Sequence, residues 1–218
     1  MNLFYEEYPV FIRSGGEVIP IRTDFRDYIR LMDILRSKDV TDQKKAECIC
    51  SFFLKIPSDV GEAIGKLMDF INMDALNPSG SGAGMNIVSE DGTDSGNGSN
   101  DRQMKPRNGL ETEEEDLEEE PVKTVYSFEY DYAYILAGFR QCYQIDLRTI
   151  DYMHWWEFRC LFQGLPADME IKQRIRYRGM DISKIKDKEE RKQIRRIQDE
   201  IRLPGEELSD YEIGNAFM

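Results

Sequence analysis

Residues 125–165 read VYSFEYDYAYILAGFRQCYQIDLRTIDYMHWWEFRCLFQGL, and this stretch decides the fold. Twelve of the chain's 24 Phe, Tyr and Trp residues lie between Tyr126 and Phe162, together with both tryptophans and the only histidine. Its apolar side chains first recur at the period of an amphipathic helix. That stripe consists of Phe128, Tyr132, Ile135, Leu136, Phe139 and Tyr143. It predicts a helix with Asp131 and Arg140 on the other face.

The next predicted helix, residues 149–163, has apolar side chains on nearly all sides. Such a helix is either surrounded by its own chain or covered by a partner. We predict that Asp146 or Thr149 caps its start, and that Gly164 and Pro166 end it.

These aromatic residues have two possible uses. Burial of helices favours a core, for which we predict Phe128, Leu136, Phe139, Trp156 and Leu161. A partly exposed docking surface is the alternative, since aromatic and Arg side chains anchor protein interfaces. Its candidate partner-binding residues are Tyr130, Tyr134, His154, Trp155 and Phe158, with Arg174 and Arg178 from the following helix.

The N-terminal region, residues 1–73, is predicted to form a small β-hairpin and three helices. Residues 10–12 and 18–21 are β-prone runs on either side of a turn-forming Ser-Gly-Gly-Glu sequence. Thr23 or Asp24 would cap the first helix, and two more segments with helical apolar periodicity follow.

Composition divides the rest of the chain. Residues 77–120 hold no aromatic residue, 12 acidic residues, 3 basic residues and 7 of the 16 glycines, which predicts a disordered linker over 74–122. Residues 123–204 form the aromatic-rich helical segment, which we expect to pack with 1–73. Residues 205–218 are predicted to be a tail. The predicted fold class is mainly α, with one hairpin and a long acidic, Gly-rich linker.

The sequence offers little for catalysis. His154 has carboxylates three residues away on both sides, but no serine motif such as GxSxG accompanies it. A thiolate of Cys142 or Cys160 beside His154 is the remaining alternative. A single histidine cannot found a His-rich metal site. The four cysteines form no CxxC motif, which favours reduced, mostly buried thiols. We therefore expect no enzyme, no cofactor and no metal.

Charge and hydropathy restrict the partners. The net charge is −13, and 12 acids against 3 bases in residues 77–120 account for −9 of it. Residues 168–202 carry 12 bases and 8 acids, a face that is usually solvated but could meet an acidic partner or the acidic linker. Because nucleic-acid binders are typically basic, we expect no nucleic-acid partner. The sequence shows no signal peptide and no apolar stretch of membrane-spanning length, so we expect no membrane partner.

Several stretches together resemble the siphophage "gene product fifteen" family, which is associated with tail assembly. They are IPI at 19–21, TDFR at 23–26, YSFEYD at 126–131, IDL at 145–147, HWW at 154–156, GLP at 164–166, YRGMD at 177–181 and KIKDKEERK at 184–192. The resemblance covers about residues 20–72 and 123–204. The linker and the tail show no motif of the family.

The resemblance implies a protein encoded near the tape-measure gene of a long-tailed phage. It implies a tail assembly chaperone-like role in the cytoplasm of the bacterial host, in which the protein binds the tape-measure protein and keeps it soluble. Self-association is a further possibility. A structural component of the phage tail or neck is the alternative, and a nucleic-acid-binding accessory protein is the second alternative.

Overall fold

The computed structural model describes residues 5–74 and 124–204. Within these ranges the elements are β1 (Phe11–Ser14), β2 (Glu17–Pro20), α1 (Phe25–Arg36), α2 (Asp42–Cys50), α3 (Val60–Asn72), α4 (Phe128–Tyr143), α5 (Trp155–Gln163), α6 (Glu170–Gly179), a 3-10 helix (Ile182–Lys184) and α7 (Lys188–Glu200). The predicted mainly α fold with a small N-terminal hairpin is confirmed. The predicted tail, and the predicted linker apart from Asp74, lie outside the described residues.

The hairpin is closed by two glycines. Gly15 and Gly16 have φ angles of 56° and 76°, which glycine adopts without steric cost. The antiparallel register places Ile12 opposite Ile19, and both side chains are buried. One face of the hairpin therefore belongs to the core.

Residues 52–54 pair with the end of β2 and the residues after it, through an isolated antiparallel bridge between Ile21 and Phe53. The N–H of Leu54 donates to the Pro20 carbonyl over 2.9 Å, and the N–H of Arg22 donates to the Phe52 carbonyl over 3.0 Å. This bridge places residues 52–54 beside the end of the two-stranded sheet.

Side-chain caps fix where the helices begin. Asp24, one of the two predicted caps, accepts a hydrogen bond from the N–H of Arg26 over 2.9 Å at the start of α1. The same role is filled by Thr41 in α2, Asp59 in α3, Ser127 in α4 and Asp187 in α7.

Helix α5 lies at the centre of the core. The ring of Phe158 stacks 4.9 Å from that of Phe25 in α1 and 5.2 Å from that of Phe139 in α4. Trp155 and Trp156 are 0% and 1% exposed. The described N-terminal and C-terminal ranges consequently share one aromatic core.

The start of α5 differs from the prediction. The helix begins at Trp155 rather than near Thr149, and His154 caps it in place of Asp146 or Thr149. The N–H of Phe25 donates to the Met153 carbonyl over 3.0 Å. The guanidinium of Arg26 also donates to the carbonyls of Leu147 and Ile150. These bonds hold the residues before Trp155 against α1, in a segment that is not helical.

The prediction for the faces of α4 was wrong at two adjacent positions. Tyr132, expected in the apolar stripe, is 61% exposed, whereas Asp131, expected outside, is buried. Among the predicted core residues, Phe128, Phe139 and Trp156 are buried, while Leu136 and Leu161 are half-buried.

The expectation of mostly buried thiols was also wrong. All four cysteines are free; Cys50 and Cys160 are exposed, and Cys48 and Cys142 are half-buried.

Candidate functional site

The HWW segment, His154-Trp155-Trp156, binds the end of α3. The indole N–H of Trp155 donates to the Ile71 carbonyl over 3.1 Å, and that of Trp156 donates to the Phe70 carbonyl over 2.8 Å. Arg159, one turn further along α5, also donates to the Ile71 carbonyl. A helix leaves its last carbonyls without intrahelical partners and carries partial negative charge there. The two indoles and the guanidinium supply side-chain donors to these carbonyls, and the N–H of Met73 also donates to the Phe70 carbonyl over 3.2 Å.

His154 holds two chain segments through its two ring nitrogens. Nδ1 accepts the N–H of Trp156 over 3.0 Å, and Nε2 lies 3.0 Å from the Pro9 carbonyl oxygen. Because a carbonyl can only accept, Nε2 carries the proton and the ring is neutral. Tyr8 stacks on the ring with 4.7 Å between centroids. Protonation at Nδ1 would remove the cap of α5.

This arrangement predicts that stability depends on the titration of His154. Burial lowers the pKa of His154 from its ordinary 6.5, although the hydrogen bond to Pro9 opposes the shift. Below pH 6.5 the unfolded chain therefore binds more protons at this position than the folded chain. We expect the free energy of unfolding to fall as the pH drops from 6.5 towards the lowered pKa.

Urea unfolding between pH 7.5 and 5 would measure this dependence. His154→Asn is the matched control, because Asn can still cap α5 but does not titrate. We expect a flatter profile in this variant. Identical slopes in the two proteins would assign the pH dependence to other groups.

A buried ion pair joins α4 to α6. Arg178 and Asp131 are 4% and 1% exposed, and two guanidinium–carboxylate hydrogen bonds of 2.6 and 3.0 Å connect them. Arg178 also donates to the Ile201 carbonyl beyond α7 over 2.7 Å and to the Val125 carbonyl over 3.3 Å. Asp131 accepts the N–H of Ser127 over 3.0 Å. This network fixes three helices relative to one another.

The structure places four of the candidate partner-binding residues in the core. His154, Trp155, Phe158 and Arg178 are all buried in the described structure, with their polar atoms bound within the chain. They are positioned to hold the fold together and do not form a surface that a partner can reach without rearrangement.

The other three candidates lie nearer the surface. Tyr130 is exposed and lines a polar cleft of about 630 Å³ together with Asp33, Arg36 and Glu129. Burial, and then the nearby Glu129 carboxylate, raise the pKa of Asp33. Apolar side chains border the cleft as well, since Leu203 and Pro204 are part of its lining.

Tyr134 and Arg174 form a pair of their own. The guanidinium carbon of Arg174 lies 3.9 Å from the centre of the Tyr134 ring, and its Nε donates to Glu170 over 2.8 Å. Both side chains are half-buried. The pair therefore has contacts within the chain, and only part of its surface is available to a partner.

The largest exposed aliphatic side chains lie elsewhere. We define the outer sheet face as Phe11, Val18, Pro20, Leu54 and Ile56. Ile56 is 87% exposed and Leu54 is 64% exposed. Sequence reasoning did not single out either residue, although their position between α2 and Pro57, outside any helical stripe, is a usable signal.

Helix α7 exposes a row of cations. Its basic face consists of Lys188, Arg191, Lys192, Arg195 and Arg196. Their positions cover one side of a helix whose opposite side buries Ile194. Among the described residues, none of these five side chains has a carboxylate partner, and Arg191 donates to the Ile185 carbonyl. This face suits an anionic partner.

A family model described as Bacteriophage Gp15 protein matches residues 6–203. The chain belongs to the bacteriophage Gp15 family. No curated protein and no solved structure matches the chain.

In this Gp15-family chain, the stretches that carried the resemblance contact one another. Asp131 of YSFEYD pairs with Arg178 of YRGMD, and the N–H of Trp155 in HWW donates to Thr23 of TDFR over 2.8 Å. Leu165 of GLP packs against Gly138 of α4. A Cβ atom added to Gly138 would lie only 3.2 Å from the Leu165 side chain. The resemblance therefore rests largely on residues that hold the core together.

Two further findings concern the described parts of this Gp15-family chain. No helix there is long and apolar enough to cross a membrane. Residues 5–74 and 124–204 also contain no group of three His, Cys, Asp or Glu side chains that could hold a metal ion.

Proposed function

We propose that this phage protein is a tail assembly chaperone that binds the tape-measure protein and keeps it soluble in the cytoplasm of the bacterial host. It would act through binding, without catalytic turnover or a cofactor. Membership of the bacteriophage Gp15 family supports the view that this is a bacteriophage protein. The observation that carries the binding role is the outer sheet face, an apolar surface that no described part of the chain covers.

The rest of the structure supports a binding protein with a stable frame. Trp155 and Phe158, two of the aromatic residues that could have served as anchors, are occupied within the core, and the indole and guanidinium donors are bound to α3. A rigid frame that presents a limited apolar surface can hold an aggregation-prone partner at modest affinity. Modest affinity allows release when the tail tube assembles.

Co-expression with the tape-measure protein from the same phage tests this proposal. We expect a larger soluble fraction of the tape-measure protein and its co-purification with the tagged chain. Co-expression of the tag alone, at matched induction, is the control. The proposal fails if the tape-measure protein is equally insoluble in both cultures and does not co-purify.

A structural component of the tail or neck is the second candidate. The outer sheet face would then be buried in a permanent interface within the particle. Purified particles distinguish the two roles. Stoichiometric amounts of the protein in mature virions favour the structural role, and its absence from them favours the chaperone.

A nucleic-acid-binding accessory role rests on the basic face of α7 alone. Five exposed or half-exposed cations on a helix of 13 residues could contact phosphates. Such binding would weaken steeply as the salt concentration rises. Retention on DNA that vanishes when Lys192 and Arg196 are replaced by Gln would support this role over the chaperone.

A further inference from the structure

We infer that the outer sheet face is the docking surface for an amphipathic helix of the partner, one that carries a carboxylate beside its apolar stripe. This inference rests on the proposed chaperone function and names the surface that performs it. The partner helix would lie across Phe11, Pro20 and Leu54.

Strand register assembles these three residues into one row. Phe11 is directly opposite Pro20, and Leu54 is held beside Pro20 by the hydrogen bond between its N–H and the Pro20 carbonyl. Directly opposed residues on neighbouring strands point to the same side of a sheet. Strands lie about 4.8 Å apart, so the row is about 10 Å wide, close to the diameter of an α-helix.

Val18 and Ile56, the other two residues of the outer sheet face, extend this row along the chain. Val18 is 48% exposed and follows Glu17 in β2. Glu17 forms an ion pair with Lys55 at 3.1 Å and a hydrogen bond with Ser58. These contacts keep the segment that contains Ile56 close to β2, so its protruding side chain borders the row.

The sheet makes its contacts with the core through its opposite side, and not through the outer sheet face. Ile12, Ile19 and Ile21 are buried there and belong to the core. Seven of the ten large apolar side chains that are exposed in the described ranges lie in residues 5–60, and the other three are tyrosines. Tyrosine carries a hydroxyl that water can bind, whereas Leu54 and Ile56 have no polar group.

The sheet geometry favours a helix over an added strand. The backbone at the end of β2 is already paired on its far side, because the Pro20 carbonyl accepts from Leu54 and the Arg22 N–H, just beyond the strand, donates to Phe52. Helix α3 packs against β1, and Glu62 of α3 accepts the N–H of Gly15. Side-chain packing on the outer sheet face remains available, which is how an amphipathic helix is recognised.

Charge defines the partner further. The guanidinium of Arg13 lies 5.7 Å from the centre of the Phe11 ring and has no ion-pair partner among the described residues. By contrast, Lys55, which lies between Leu54 and Ile56 in the sequence, is paired with Glu17. Within residues 5–74 and 124–204, Arg13 is therefore a positive charge without an ion-pair partner at the edge of an apolar surface. A partner helix with Asp or Glu at the edge of its apolar stripe complements it.

The test compares four variants in co-expression with the tape-measure protein. Leu54→Ser with Ile56→Ser removes the most exposed aliphatic groups, and we expect at least a tenfold loss of co-purified tape-measure protein. Tyr132→Ser removes an exposed aromatic side chain from α4, away from this face, and is the control that should leave capture unchanged. Arg13→Glu should weaken capture, whereas Lys44→Glu on exposed α2 should not. Unchanged thermal unfolding would show that each variant is folded.

Each outcome bears on a different statement. If the wild-type protein captures the tape-measure protein and the Leu54/Ile56 variant does so equally well, the docking surface is wrong while the chaperone function stands. Loss of capture in the tyrosine variant instead would move the surface to α4. If the wild type captures nothing, the function and the inference both fail. If the Leu54/Ile56 variant changes only the oligomeric state in sedimentation, the face binds a second copy of the chain, and the inference is overturned.

Discussion

Replacing Trp156 by Ala is expected to lower the free energy of unfolding by about 3–5 kcal/mol, because it empties a large buried volume. The side chain is 1% exposed, and its ring lies 5.3 Å from that of Phe70. The substitution also removes the donor to the Phe70 carbonyl. A loss of this size approaches the whole stability of an average domain. Urea unfolding followed by circular dichroism measures it.

Two companion variants separate packing from hydrogen bonding. Trp156→Phe keeps much of the ring volume but loses the indole N–H, so we expect a smaller loss than for Ala. Tyr132→Ala removes an exposed aromatic side chain from α4 and should change stability little. An unaltered unfolding midpoint in Trp156→Ala would contradict the buried position of this residue.

Local rules predicted the helices and the turn well. The apolar period predicted α4, the Ser-Gly-Gly-Glu sequence predicted the hairpin, and Asp24 was one of two predicted caps for α1. These features depend on residues that are close together in the sequence. They are therefore visible before the chain is folded.

Long-range contacts explain what the sequence did not reveal. The residues before Trp155 carry a helical pattern, but their carbonyls bind Arg26, which is more than 120 positions away. Asp131 is buried because Arg178 from another helix reaches it. Neither partner is identifiable from local periodicity, so the start of α5 and the buried face of α4 were assigned incorrectly.

The same limit affected the candidate site. Trp155 and Phe158 belong to a residue class that often anchors interfaces, but here the core uses them. Leu54 and Ile56 were not predicted to be exposed, because a position outside any helical stripe indicates a loop but does not fix which of its side chains face solvent. Whether a side chain is exposed depends on how the whole chain is packed. In this fold, exposure distinguishes the residues that hold the core together from those that remain available to a partner.

Arg178→Met is expected to destabilise the protein by about 3–5 kcal/mol, since it leaves the Asp131 carboxylate buried without its counter-charge. The substitution also leaves the Ile201 and Val125 carbonyls without this donor. Lys184→Met breaks the exposed pair with Asp181 and is the matched control, for which we expect no resolvable change.

The double variant Asp131→Leu/Arg178→Met distinguishes an ion pair from two independent packing losses. Once the carboxylate and the guanidinium are both absent, no charge is left buried, so the double variant should be less destabilised than the sum of the single variants. It should not regain full stability, because the N–H of Ser127 and two carbonyls lose their partners. Strictly additive losses in urea unfolding would show that the pair contributes no coupling between α4 and α6.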